Sequence, residues 1–296
     1  MIEIKNVSKS FGKVQALDDV SFEVEKGDVF GLIGQNGAGK STLFRSMMNF
    51  FDDYSGEILY DGKPMAKVPL EKIGFLPEER SLSPKKTIEE EIRYFARLNQ
   101  MDNIPKETIQ KWFDRFEIKG NLTDKIKSLS KGNQQKVQLL AAVIYQPEFV
   151  ILDEPLSGLD PYNIRLLEEI IKELNSMGMT ILFSSHNMEN VEALCNKLVM
   201  LKNGKVVLNG TPAEIRNTYP REEILVETDR DLLPLIDGKV KSYTKNGNIW
   251  KLYLNDQNDS REIYETIKNN IGFVSQFSQA APTLNEIFAK VVESHE

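Results

Sequence analysis

One stretch constrains this chain more than any other. From residue 34 it reads Gly34-Gln35-Asn36-Gly37-Ala38-Gly39-Lys40-Ser41, followed by Thr42, and it fits G-x-x-x-x-G-K-[ST] at every position. Its flanks agree with the motif. Val29-Phe30-Gly31-Leu32-Ile33 reads as a buried strand entering the loop, and Ser41 to Met48 as a helix leaving it. Gly34, Gly37 and Gly39 permit backbone conformations that a Cβ forbids. The loop N–H groups then turn inward around a phosphate chain. The helix adds its own free N–H groups and the positive end of its dipole. Lys40 is placed to reach β- and γ-phosphates, and the Ser41 hydroxyl to bind Mg²⁺.

A second signal lies far downstream. Phe149-Val150-Ile151-Leu152 is an apolar run that ends in Asp153 and Glu154. It reads as a parallel strand buried on both faces, with acids at the end where α/β sheets place ligands. Asp153 can hold Mg²⁺, directly or through water, and Glu154 can polarise a water against a γ-phosphate. Thr180-Ile181-Leu182-Phe183-Ser184-Ser185 reads as another buried strand, and His186 follows it. The other histidine, His295, lies in the tail. Between the two acids and this strand, Ser157-Gly158-Leu159-Asp160-Pro161 forms a loop before a helix from about Tyr162 to Met177. Upstream, Leu129-Ser130-Lys131-Gly132-Asn133 opens a strong helix over Gln134–Tyr145, with Ser130 as N-cap.

Short strands surround the loop. Ile2-Glu3-Ile4 and Val20 to Val24 alternate as half-buried antiparallel strands do, and Phe11 sits in the connection between them. Ser55 to Tyr60 ends in an Asp61-Gly62 turn, and Lys72 to Pro77 is a further strand that leads into Glu78. From Thr87 to Asn121 the spacing of Ile88, Ile92, Phe95 and Ala96, and of Trp112, Phe113 and Phe116, is helical.

Composition excludes several classes. The lone cysteine, Cys195, rules out an intrachain disulfide and fits a reducing, cytosolic setting. Met1 to Lys5 carries no apolar signal core, and no apolar run approaches the ~18–20 residues that span a bilayer. A net charge of −7 argues against a nucleic-acid partner.

The motifs come in one order at family-like spacing, and the chain resembles the ATP-binding subunit of an ABC transporter over about residues 1–215. That resemblance implies an α/β fold of the P-loop NTPase type: a mixed sheet core, an antiparallel β subdomain and a helical subdomain at about residues 80–140. It implies ATP and Mg²⁺ as ligands, a second nucleotide-binding subunit in a homodimer or heterodimer, and a separate transmembrane permease. The protein would then be cytoplasmic and peripheral at the inner face of the cell membrane. Each ATP would lie between Gly34–Thr42 of one protomer and the Ser130, Gly132, Asn133 segment of the other. Phe11 matches the adenine-stacking aromatic, Glu154 the catalytic carboxylate, His186 the γ-phosphate switch and Asp160 the acid that communicates across the dimer.

Two positions depart from the family pattern. The signature, usually Leu-Ser-Gly-Gly-Gln, reads Leu-Ser-Lys-Gly-Asn here, and the usual loop Gln is Glu78. A carboxylate can still bind Mg²⁺ but adds negative charge beside the phosphates, which Arg80 could offset. The alternative, an ABC-type ATPase working on a non-transport partner, usually brings two cassettes in one chain or a long coiled coil. This chain has one cassette and no heptad run.

The cassette is expected to end near residue 217, after a hairpin with an Asn203-Gly204 turn and a short helix capped by Thr211 with Pro212 first. Residues 218–296 read β-α-β-β-α-β, a small α+β domain suggesting a ferredoxin-like sandwich. Thr283 to Glu286 is a capping box for a last helix. Leu284, Ile287, Phe288 and Val291 make an apolar stripe on it. The stripe can dock on the cassette or another protomer, or close the small domain's own core. This region resembles the accessory C-terminal domain on ATP-binding subunits of drug, peptide or sodium exporters.

Overall fold

The computed structural model describes residues 1–79 and 81–293. The chain forms two compact units, Met1–Pro212 and Ala213–Glu296.

In the first unit, β1 (Ile2–Phe11) and β2 (Val14–Val24) pair antiparallel and bury alternate residues, among them Ile2, Ile4, Val20, Phe22 and Val24. β3 (Val29–Ile33) is buried along its whole length, as a strand covered on both faces must be. The glycine loop and α1 (Lys40–Met47) follow. β4 (Ser55–Tyr60) returns through Asp61 and Gly62, at φ 49° and 73°, to β5 (Lys63–Pro64). Both turn residues have positive φ, as a tight two-residue hairpin requires. β6 (Ile73–Leu76) comes next.

Three helices then form in the expected region: α2 (Ile88–Leu98), α3 (Lys106–Arg115) and α4 (Lys131–Val143). α2 starts at a reciprocal cap in which Glu90 N–H donates to Thr87 and Thr87 N–H donates to Glu90. Ile88, Ile92, Ala96, Phe113 and Phe116 are buried, so the apolar spacing marks a small helical core.

β7 (Phe149–Leu152), α5 (Pro161–Ser176), β8 (Thr180–Ser185), α6 (Met188–Leu194), β9 (Lys197–Lys202) and β10 (Lys205–Gly210) complete the unit. One sheet has the order β2-β1-β4-β5 and the other β10-β9-β3-β8-β7-β6. The second is parallel from β9 to β6, and only the β9–β10 hairpin is antiparallel. Ile4, Val20, Phe30, Leu43 and Ile151 share one apolar core, which joins the two sheets across α1. The parallel register decides where the site falls. Ile33 pairs with Ser185, and Leu152 with Phe183, so β3, β8 and β7 end side by side.

In the second unit, α7 (Pro212–Asn217) leads to β11 (Glu223–Glu227), α8 (Leu233–Ile236), β12 (Ser242–Asn246), β13 (Ile249–Tyr253), α9 (Ser260–Ile271), β14 (Gln276–Ala280) and α10 (Leu284–Glu293). The sheet is antiparallel in the order β12-β13-β11-β14. Ile224, Val226, Trp250 and Leu252 on one face pack with Ile263 and Ile267 of α9. Lys251 has the opposite parity. Its ammonium lies 2.8 Å from Glu223 and 3.0 Å from Glu286 of α10. Glu286 also accepts the Thr283 N–H, while its own N–H donates to the Thr283 hydroxyl, so one carboxylate caps α10 and pairs with Lys251. Leu284 and Ile287 are buried within the chain. That half of the stripe is therefore not open to a second protomer.

Burial alone would push the Glu286 carboxyl up, but the Thr283 N–H and Lys251 outweigh it and hold it below the ordinary carboxylate range. A lowered folded-state pKa stabilises at pH values above the unfolded one, near 4.3, and the benefit is lost as pH falls through the folded value. Parent and Glu286→Gln should therefore differ in thermal midpoint by a constant amount near neutral pH. The difference should shrink below about pH 4. A difference of the same size throughout the acid range would count against the carboxylate clamp.

Candidate nucleotide site

The loop after β3 keeps the strained backbone that its glycines allow. Gly34, Gly37 and Gly39 have φ of 153°, 82° and 110°, and Gly39 stands at the head of α1. At Gly34 a Cβ would lie 2.5 Å from the Leu201 carbonyl oxygen, and at Gly39 it would lie 2.6 Å from that of Ala16. The loop is thus pressed between β2 and β9, and only glycine fits. Ala38 is buried and helps to fix the loop: its N–H donates to Gln35 O and its carbonyl accepts the Gly204 N–H. Asn36 and Gly37 are exposed at the loop tip.

Lys40 is buried at 6% exposure. Its ammonium donates to Gly34 O at 2.7 Å and Gln35 O at 3.3 Å, and it faces Glu154 at 3.6 Å. Glu154 comes from the end of β7 at φ 50°, a left-handed conformation uncommon for a residue with a side chain. Both of its carboxylate oxygens lie 3.0 Å from Nδ1 of His186. With the carboxylate accepting, the proton sits on Nδ1 and leaves Nε2 as the ring's other hydrogen-bonding atom. Asp153 is buried beside them.

Ser184, which sequence reasoning passed over, links the two acids. Its hydroxyl donates to Asp153 Oδ1 at 2.6 Å and accepts the Glu154 N–H at 2.8 Å.

A cleft of about 510 Å³ opens over the loop. Its walls include Asn36, Gly37, Gly39, Lys40, Ser41, Thr42, Glu78 and Glu154, with Val14 to Ala16 of β2 and Asn203 on the far side. Glu154 also faces a neighbouring cleft of about 200 Å³ that contains His186. The available donors suit a hard cation: a hydroxyl at Ser41 and a carboxylate at Glu78 in the cleft wall, with the Asp153 carboxylate buried next to Glu154 and not on the wall. No group of three His, Cys, Asp or Glu side chains among the described residues could hold a metal by itself. Mg²⁺ fits that situation, since it is usually bound by one or two carboxylates plus substrate phosphates and water. Arg80, the expected counter-charge to Glu78, lies outside the described residues, as does His295.

Phe11 does not line the cleft. It ends β1 at 44% exposure, edge-on to Phe51 with ring centroids 5.2 Å apart, and Lys9 Nζ lies 4.7 Å from its centroid. Val14, across the β1–β2 turn and 66% exposed, lines the cleft instead.

The signature segment is also absent from the cleft wall. Ser130 caps α4 and accepts the Asn133 N–H at 3.3 Å, and the Asn133 side-chain amide donates to the same hydroxyl at 3.1 Å. A Cβ at Gly132 would lie 3.4 Å from Leu159, so the segment adjoins the loop that carries Asp160. Asp160 caps α5 by accepting from the N–H and side-chain amide of Asn163. The Asn163 N–H is the main cause that holds its carboxyl below the usual range.

A glycine loop ahead of a helix, facing two acids and a histidine at the ends of parallel strands, defines a phosphate-binding cassette. The family model described as ABC transporter matches residues 17–157. A second, described as ATP-binding protein DrrA1-3-like, C-terminal domain, matches residues 210–292. The uncharacterized ABC transporter ATP-binding protein YhaQ of Bacillus subtilis (strain 168) is 38% identical over 99% of this chain and 98% of its own length. The linearmycin resistance ATP-binding protein LnrL of the same organism is 32% identical over 73% of this chain and 70% of its own. A solved structure of an ATP-binding subunit of an ABC transporter superposes with a TM-score of 0.66 at 31% identity, over 74% of this chain and 92% of that one. The chain belongs to the family of ABC transporter ATP-binding proteins.

Two loop glycines separate space from strain. Gly37 has positive φ but nothing within 4 Å of a built Cβ, whereas Gly39 has positive φ and a backbone oxygen at 2.6 Å. Gly37→Ala should cost about 1 kcal/mol and Gly39→Ala about 3 kcal/mol of stability. Chemical denaturation of both variants checks this. Equal losses would mean that the contact with Ala16 does not hold the loop.

Proposed function

We propose that this protein binds and hydrolyses ATP to drive a separate transmembrane permease, and that the transport is export. One observation supports the chemistry above the others: Lys40, Glu154 and His186, from three sequence regions, converge at the ends of β3, β7 and β8. On this reading Lys40 exchanges its carbonyl partners for β- and γ-phosphate oxygens, which are stronger acceptors. Glu154 takes a proton from the water that attacks the γ-phosphate. His186, which holds the Glu154 carboxylate through Nδ1–H, would be the switch that redirects a ring N–H to the γ-phosphate when ATP binds. Ser41, Asp153 and Glu78 are the residues that would hold Mg²⁺, which would offset the negative charge of the phosphates. Phe11 would stack on the adenine, from a ring now turned to Phe51.

Ser130, Gly132 and Asn133 have no place on the Lys40 cleft, which supports a second nucleotide-binding subunit that supplies this segment in trans. Asp160, beside the segment, would couple the two sites. Among the described residues no helix is long and apolar enough to cross a membrane, so on this reading the membrane-spanning part is a partner. The protein would then work at the inner face of the membrane. The match of residues 210–292 to the DrrA1-3-like C-terminal domain, and a relative named for linearmycin resistance, favour export of a drug, a peptide or an ion over import.

Glu154→Gln tests the proposal. It removes the base and keeps the size of the side chain. Turnover should fall at least about 100-fold, the usual worth of general-base catalysis, while ATP still binds. Size-exclusion chromatography with ATP and Mg²⁺ should then show a dimer that the parent forms only transiently. Hydrolysis near the parent rate would remove Glu154 from the role.

A further inference from the structure

Ser184 has no exposed surface. It sits on β8, one residue before Ser185 and two before His186, where β8 runs alongside β7. A hydroxyl has one proton to give and lone pairs to receive. A carboxylate can only accept, so that proton goes to Asp153 Oδ1 at 2.6 Å. A backbone N–H can only donate, so Glu154 N–H supplies the second bond, at 2.8 Å. The two demands fit one orientation of the hydroxyl, and no other side chain touches both acids in this way among the described residues.

Two consequences follow. First, the bond engages Oδ1 and so selects Oδ2 of Asp153 as the oxygen left to face a cation. Buried hydrogen bonds of this kind orient a metal-binding carboxylate and tune its basicity. Second, Glu154 stands at φ 50°, and its N–H is anchored to Ser184 in that strained conformation. In this conformation the Glu154 carboxylate meets Lys40 and His186. We infer that Ser184 is a positioning residue for both acids: it aims Asp153 at the divalent cation and locks Glu154 over the cleft. The inference rests on the ATP-binding reading above.

The test uses the full chain and reads nucleotide binding, not turnover. A fluorescent ATP analogue is titrated with Mg²⁺ at increasing concentration, and separately in EDTA. Ser184→Ala should raise the Mg²⁺ concentration needed for half-maximal binding about 10-fold or more, as loss of a partner behind a metal ligand does. Binding in EDTA should stay within about twofold of the parent, because the loop and Lys40 are untouched. Ser184→Thr keeps the hydroxyl and should restore the Mg²⁺ requirement. If the alanine variant does not fold, Ser184→Cys, close in size but a weak donor, should show the same defect. Asp153→Asn is the reference. A raised Mg²⁺ requirement in Asp153→Asn with none in Ser184→Ala or Ser184→Cys would overturn the role of Ser184 and leave the ATP-binding reading standing. No Mg²⁺ effect in Asp153→Asn would overturn the reading and the inference together.

Discussion

The parallel seat of β8 between β3 and β7 is the constraint on which the site depends. Hydrogen bonding fixes the register, with Ile33 against Ser185 and Leu152 against Phe183. Each strand is then followed at once by its functional residue: Gly34 after β3, Asp153 and Glu154 after β7, His186 after β8. A one-residue slip would turn every side chain to the other face of the sheet. The near-continuous burial of the three strands resists such a slip, because each residue has a packed partner on one face or the other.

Around that edge Lys40, Asp153, Glu154 and Ser184 are buried and partner one another, while the His186 ring is exposed. The Lys40 ammonium has two carbonyls and one carboxylate about it, and the Glu154 carboxylate has Lys40 and His186. Buried charges persist only when paired and hydrogen-bonded, since desolvation otherwise drives them neutral. Strain is placed in the same volume. Gly39 at φ 110° and Glu154 at φ 50° both line the cleft, each held by a neighbour: Ala16 closes the space beside the first and Ser184 anchors the second. A loop under such constraint presents its N–H groups in a fixed array, as binding of a multiply charged anion requires.

How much of this could be read from residues alone varied with the physical signal. The glycine spacing, the apolar runs and the caps at Ser130 and Thr283 are local, and each formed where its pattern placed it. Ser184 was not legible. A small polar residue in a buried strand reads as filler until the neighbouring strand is in place, and its partners lie 30 and 31 residues away. The wall made by Val14 to Ala16 was missed for the same reason, since it depends on how β2 meets the loop rather than on any pattern in β2. At Phe11 the motif position could be read, but the ring's direction could not. Phe51 and Lys9 set it, and neither is signalled by its own segment. In the second unit the period-2 strands were readable, while the Glu223–Lys251–Glu286 clamp joins β11, β13 and α10 and appears only in the folded chain.

On the function proposed above, the machinery divides in two: a phosphate site that would hold ATP within one chain, and a signature segment that would act only when a second chain brings it to that site. Calorimetric titration of MgATP into the parent, Lys40→Met and Ser130→Ala chains separates the two most directly. The account predicts that Ser130→Ala binds one ATP per chain with parent affinity and that Lys40→Met does not bind. Equal loss of binding in both variants, or undiminished binding by Lys40→Met, would contradict it.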